Sequence, residues 1–264
     1  MKKFVMAALI FSLCSLWLSC YAAAPQKKKD KIELRSYTCE RAEGRIIVDG
    51  VLSEGSWQKA KATGGFMKML DNVGKPMTQH TEVKMLWDNK NLYIAFVVND
   101  PDIFAVKTQD DGPLWEEENA EIFIDEDGDG KNYLEYEINP LNAIIDLRID
   151  QPKPNGDVQP WQPKAVFNGD GIKRAVKVYG TVDNRNDVDE KWVAEIAIPL
   201  NNINFPYAKN LPPKDGDVWR ANMFRIERPQ KEVGPEEYGS WSKTPSWHMP
   251  QYFGKVTFSG KTVK

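Results

Sequence analysis

The chain has 264 residues, 41% hydrophobic and 11% aromatic, with nine tryptophans. That suffices for one large β domain or two small ones, with a core that needs no cross-links. A formal charge of −3 excludes the basic footprint of a nucleic-acid binder.

Lys2 and Lys3 precede an uncharged apolar run, Phe4 to Leu18, and small residues follow at Ala22, Ala23 and Ala24. A charged start, a short apolar stretch and a small-residue exit read as a secretory signal, not a spanning helix. Residues 1–24 are expected to be removed on export. No later stretch is long and apolar enough to cross a bilayer as a helix. Leu16-Trp17-Leu18-Ser19-Cys20 also matches a lipobox loosely, so lipid anchoring at Cys20 is a second reading. Either way the mature protein is expected to be periplasmic, secreted or on the cell surface. Cys39 is the one cysteine clear of this segment, and alone it makes neither an internal disulfide nor a thiolate metal site.

Residues 25–44 are polar, with the run Lys27-Lys28-Lys29-Asp30-Lys31. They read as a solvated linker. From 45 the signal is β. Arg45-Ile46-Ile47-Val48 is an apolar run closed by the turn pair Asp49-Gly50. Leu52 to Ala60 predicts a helical turn or two. Thr81 to Asp88 alternates, Asn89-Lys90-Asn91 turns, and Leu92 to Val98 is almost continuously apolar: a hairpin of one half-buried and one central strand. Ala120 to Ile124 is a strand closed by Asp125-Glu126-Asp127-Gly128-Asp129-Gly130. Tyr133 to Ile138 alternates again, placing Tyr133, Glu135 and Glu137 on one face. Ala143 to Ile149 pairs next, residues 150–163 form a surface loop, and further strands fall at 175–182, 191–198, 218–227 and 254–258. Short strands between turn residues, with no long amphipathic helix and no repeat, predict one domain over 45–260. The expected fold is all-β: a single antiparallel sandwich of immunoglobulin-like or jelly-roll type.

Four constellations could carry chemistry. Trp57, Trp87 and Trp192 lie in helix or strand patterns and are expected in the core. Trp115 and Trp247 lie in polar loops, where an indole is either a plug over the core or a flat platform for the apolar face of a sugar. Residues 110–137 hold twelve acids and one base, Lys131. Asp125, Asp127 and Asp129 have the spacing of a calcium loop, but the twelfth position is Tyr136 rather than glutamate, so an EF-hand is excluded. A structural calcium held by these aspartates, or a plain solvated turn, stays open. Glu121, Glu137 and Asn139 could line a groove. Two neighbouring carboxyls would suit a glycoside hydrolase, although ordinary strand positions explain them as well. Finally, Arg220, Arg225 and Arg228 recur through an apolar strand, and a guanidinium hydrogen-bonds sugar hydroxyls or pairs with carboxylates.

The order of these pieces resembles the family 9 carbohydrate-binding modules. The similar segments are Val48-Asp49-Gly50 with Leu52, Glu54 and Trp57; Val83 to Asp88 with Leu92 to Ala95; Asn99-Asp100-Pro101; Trp115 followed by Glu121 to Asp125; Tyr136 to Pro140; and Ser240-Trp241-Ser242 with Trp247 and Phe253-Gly254. The resemblance spans roughly 45–258. It implies a non-catalytic β-sandwich that holds sugars at chain ends and carries structural calcium. It places the clamping tryptophans at Trp115 and Trp247, and polar contacts at Glu121, Glu137 and Asn139, with Arg225 as a further candidate. It departs from the family where Glu137 stands in place of a basic residue, and around Phe224-Arg225, which lacks the relatives' glutamine. A separate glycoside hydrolase is the implied partner. A wider group of related sandwiches binds haem, for which His80, His248 or Met249 would be the axial ligands.

Overall fold

The computed structural model describes residues 33–150, 169–203, 208–230 and 234–264. The expected export segment, Cys20 and most of the 150–163 loop lie outside these residues. Twelve strands are described: β1 (Ser36–Arg41), β2 (Met67–Lys68), β3 (Thr81–Trp87), β4 (Asn91–Asn99), β5 (Asn119–Asp125), β6 (Tyr133–Ile138), β7 (Ile144–Ile149), β8 (Lys173–Tyr179), β9 (Lys191–Pro199), β10 (Val218–Glu227), β11 (Glu237–Ser240) and β12 (Gly254–Thr262). One short helix, α1 (Gly55–Lys59), falls within the helical stretch expected from sequence.

The strands follow the order β7-β6-β5-β10-β12-β1-β3-β4-β9-β8, with β11 and β2 branching from β10. The path curls on itself. One core takes Val83, Met85, Ile94, Phe96, Trp192 and Ile196 from one half and Ile122, Ile124, Leu134, Tyr136, Trp219 and Met223 from the other. Each half is a sheet with one face in this core, which is the sandwich arrangement. Burying each large apolar side chain contributes about 1.5–3 kcal/mol, so the core fixes which face of every strand turns inward.

The β3–β4 hairpin shows how sequence sets this. Asp88 Oδ1 accepts the Lys90 and Asn91 amides at 2.7 and 2.8 Å, closing the turn. On β4, Leu92, Ile94, Phe96 and Val98 enter the main core. Tyr93 and Ala95, one residue out of phase, pack with Trp57 on the opposite face. A continuous apolar strand thus serves two layers. The Trp57 indole donates to Glu195 Oε1 at 2.8 Å, and Glu195 Oε2 accepts the Asp49 and Gly50 amides. Gly50 has φ +77° and passes so close to β8 that a Cβ would lie 2.8 Å from the Lys177 nitrogen. Only glycine fits this turn.

Three expectations need correcting. The stretch 25–44 is not all linker: Ser36–Arg41 forms β1, which inserts Tyr37 and Cys39 into the core. Pairing is not wholly antiparallel, because β1 runs parallel to both β12 and β3 and so joins the two halves. Arg45–Val48 is not a strand; Ile46 packs with Trp57 while Ile47 is exposed.

Candidate functional site

Strands β10, β5, β6 and β7 form one half of the sandwich, and period-2 geometry turns alternate residues to its outer face. The register produces two cross-strand rows there. One runs Phe224, Glu121, Glu137, Ile145; the other runs Asn222, Phe123, Glu135, Leu147. With strands about 4.8 Å apart, each row spans about 14 Å. Trp247 stands at one end of the first row, 6.5 Å from the Phe224 ring and edge-on to Tyr238 at 5.4 Å. Its side chain lies near enough to Glu121 to lower the carboxyl's pKa, the indole N–H being a donor only. Trp115 packs against the cluster of Leu114, Ala143, Ile145 and Leu147 at the other end. Both tryptophans are partly exposed. The two indoles therefore flank a strip whose middle is Glu121 and Glu137.

Each tryptophan sits on a braced loop. Trp115 lies in a 3₁₀ turn, Leu114–Glu116. The acids after it hold that turn in place: Glu117 accepts the Val106 and Lys107 amides, and Glu118 accepts those of Phe104 and Arg228. The Trp115 carbonyl accepts from Arg228 Nη2 at 3.3 Å. On the other side, Thr244 Oγ1 donates to the Ser246 carbonyl at 2.6 Å, shaping the turn into Trp247.

The floor is acidic. Glu121, Glu135 and Glu137 are 2%, 4% and 2% exposed. Burial, then repulsion among the three, lifts the Glu121 and Glu135 carboxyls well above the usual range. Burial pushes Glu137 up to about 7, opposed by hydrogen bonds from Glu135 and Asn119. Asn119 Nδ2 donates to Glu137 at 2.9 Å. His248 covers Glu135: its ring stacks on Phe123 at 5.1 Å, and Nδ1 lies 2.8 Å from the Tyr133 hydroxyl and 4.0 Å from Glu135 Oε2. Burial lowers His248 to about 4, so it is neutral at pH 7 and adds no positive charge.

The other expected site residues divide. Asn139 is 0% exposed and committed to the scaffold: Nδ2 donates to the Lys107 carbonyl and Glu117, and Oδ1 accepts the Ala143 amide. Arg225 is not on this face. It is the odd neighbour of Phe224, so the strand period turns it inward, where it bonds Asp100 and Glu227. Arg220 faces outward and donates to the Phe253 carbonyl, while Arg228 lies past the end of β10. Asp125, Asp127 and Asp129 can each bring one oxygen within 4.8 Å of the others. Asp125 accepts the Gly128 and Gly130 amides and is raised to about 7 by burial, with those bonds opposing. His80 is exposed beside Glu82.

Asn119, Phe123, Tyr133, Glu135 and His248 complete the floor, and sequence reasoning did not assign them to it. The signal was partly there, since the alternation of β6 already puts Glu135 on the face of Glu137. Glu121 and Glu137 are side by side on adjacent strands.

The family model for carbohydrate family 9 binding domain-like proteins matches residues 48–261. An extracellular protein of Arthroderma benhamiae is 28% identical over 197 residues, 70% of this chain and 80% of its own length. Endo-1,4-beta-xylanase A of Thermotoga neapolitana is 29% identical over 104 residues, 38% of this chain but 9% of the enzyme. A Bacteroides uniformis protein provisionally assigned to carbohydrate binding superposes with TM-score 0.63 at 17% identity, covering 86% of this chain and all of that one. A family 9 module of Caldicellulosiruptor kristjanssonii, solved with cellotriose, superposes with TM-score 0.54 at 14% identity over 85% of this chain and 95% of that one. With the family model spanning nearly the whole described fold, the chain belongs to the carbohydrate family 9 binding domain-like family.

Proposed function

We propose that this domain is an exported, non-catalytic module that binds a sugar or glycan end on the outer face of β5 and β6, between Trp115 and Trp247. The observation that carries the reading is the cross-strand row with a partly exposed indole at each end and two carboxyls between. Flat indoles receive the C–H faces of a pyranose, and carboxyls accept from its hydroxyls. The sugar-bound family 9 neighbours support the ligand class. The extracellular relative supports export through residues 1–24. Among the described residues no helix is long and apolar enough to cross a membrane. Such a module supports polysaccharide utilisation by keeping glycan close to the cell or to a separate glycoside hydrolase.

Calcium is the proposed structural ion, held by Asp125, Asp127 and Asp129 in the β5–β6 turn. The convergence of one oxygen from each of the three aspartates within 4.8 Å supports it, because a hard cation takes carboxylate oxygens as ligands.

Fluorescence titration of residues 25–264 with mono- and oligosaccharides tests the site. A saturable shift is expected in the micromolar to millimolar range, about −4 to −8 kcal/mol, and is lost in Trp115→Ala and Trp247→Ala. No shift with any sugar, or one indifferent to both tryptophans, would remove the reading.

A further inference from the structure

The floor between the tryptophans holds three buried carboxyls and no counter-charge. Among the described residues no lysine or arginine forms an ion pair with Glu121, Glu135 or Glu137, and the basic side chain that approaches Glu135 is His248, 4.0 Å away. His248, the one basic side chain over them, is neutral. Two polar atoms are buried there without a hydrogen-bond partner among the described residues: Asn119 Oδ1 and Glu135 Oε2. Both are acceptors, and a buried acceptor left unmade costs about 1–3 kcal/mol. The strip therefore lacks positive charge, and its carboxyls hold protons in place of a counter-ion.

A bare metal ion does not fit this lack. Among the described residues, the groups of three acids whose oxygens can converge on one ion are Asp100 with Glu118 and Glu227, and Asp125 with Asp127 and Asp129. Glu121, Glu135 and Glu137 are not such a group. They lie along two strands, Glu121 beside Glu137 and Glu135 two residues on. A ladder of acceptors suits an extended ligand with a cationic group and several further donors.

We propose that the site prefers a sugar bearing a free amine, a hexosamine unit in its ammonium form, over the neutral sugar of the same shape. The proposal rests on the carbohydrate reading above. An ammonium offers three donors and no acceptor. It takes the place of the proton on a carboxyl it meets, the proton passing to solvent, and pairs with the carboxylate at low dielectric, where their attraction is strongest, and the flanking indoles add cation–π attraction. A neutral hydroxyl supplies one donor and leaves the carboxyls protonated and without a counter-charge.

The test is calorimetric titration of residues 25–264 at pH 7 with three dimers sharing one β-1,4 backbone: the glucosamine dimer, its N-acetylated form, and cellobiose. The glucosamine dimer is expected to bind at least about tenfold tighter than both, roughly 1.4 kcal/mol. Added salt should erode that preference, and Glu137→Gln should bring the three within about threefold. Cellobiose binding as well as the amine, or better, would overturn the proposal and leave the carbohydrate reading intact. An amine preference unchanged in Glu137→Gln and Glu121→Gln would overturn it too, placing the cation elsewhere. If none of the three binds up to about 10 mM, the proposal falls, while the broader sugar titration decides the carbohydrate reading by itself.

Discussion

Strands β5 and β10 serve two acid clusters, and the two are built differently. Inside the sandwich edge, Arg225 is 0% exposed. It pairs with Asp100 Oδ2 at 3.1 Å and with Glu227, and donates to Thr81 Oγ1 and the Asn99 carbonyl at 3.0 and 2.8 Å. Glu118, beside Asp100, is pushed up to about 9 by burial and keeps its proton. That cluster carries its own cation and closes on itself. On the outer face, Glu121, Glu135 and Glu137 pair with no lysine or arginine among the described residues and lie between two partly exposed indoles. An acid cluster that supplies its own counter-charge is scaffold. One that lacks it, beside partly exposed aromatic rings, is where the proposed ligand would complete the structure.

Removing the cation from the closed cluster should have the largest effect. Arg225→Met strands Asp100 and Glu227 in the interior and is expected to cost about 3–5 kcal/mol, measured by urea denaturation. A loss below about 1 kcal/mol would mean that the cluster is wet and the contrast between the two faces unfounded.

The indoles come next. Trp115→Ala and Trp247→Ala should each weaken sugar binding by about 2 kcal/mol, close to thirtyfold. Thermal unfolding should change far less than binding, because both rings are partly exposed. Equal losses of stability and binding would make them plugs over the core.

The open ladder should show the opposite sign from the closed cluster. Glu137 keeps its proton to about 7 when folded, against 4.5 unfolded. The folded state binds more protons across that window, so stability falls as pH rises from about 4.5 to about 7 and stays reduced above. Glu137→Gln abolishes this loss and is expected to stabilise the domain at pH 8 by about 2 kcal/mol, with little change at pH 4. His248 works the other way. Its folded pKa near 4, lowered by burial from the ordinary histidine value of 6.5, removes stability as pH falls through that interval. Replacing His248 should therefore flatten the acid limb alone. A Glu137→Gln variant less stable at pH 8 than the parent would show that Glu137 is ionised and bonded as scaffold.

Calcium should have the smallest effect. Chelation is expected to lower Tm by a few degrees, corresponding to about 1 kcal/mol, with calcium restoring it. Asp127→Asn with Asp129→Asn should abolish the response. No response in the parent would leave the turn held by the Asp125 hydrogen bonds to Gly128 and Gly130 alone.

Alternating strands were legible in the sequence because burial writes a period of two into them. The 218–227 strand was read with its observed ends, and the burial of Trp57, Trp87 and Trp192 followed from their patterns. β1 was missed because Ser-Tyr-Thr-Cys-Glu-Arg offers only Tyr37 and Cys39 as inward apolar residues, and its partners lie far along the chain. The same parity marked Glu135 and Glu137 as one face and could have shown that Arg225 faces away from Phe224, since neighbours on a strand cannot share a face. Asn139 looked available because its side chain is polar; nothing local reveals that Lys107, Glu117 and Ala143 already use it. His248 was weighed as a metal ligand, and its stacking on Phe123 depends on a contact 125 positions away in sequence.

The central claim is that the ligand enters between the two loop indoles and over the acid ladder. The most direct test is the set of indole N–H resonances of the nitrogen-labelled mature domain during sugar titration, with Trp115 and Trp247 assigned by substitution with phenylalanine. The account predicts that these two signals move together and saturate at one affinity, while those of the buried Trp57, Trp87 and Trp192 stay in place. Movement of the buried signals with Trp115 and Trp247 silent would put the ligand elsewhere and contradict it.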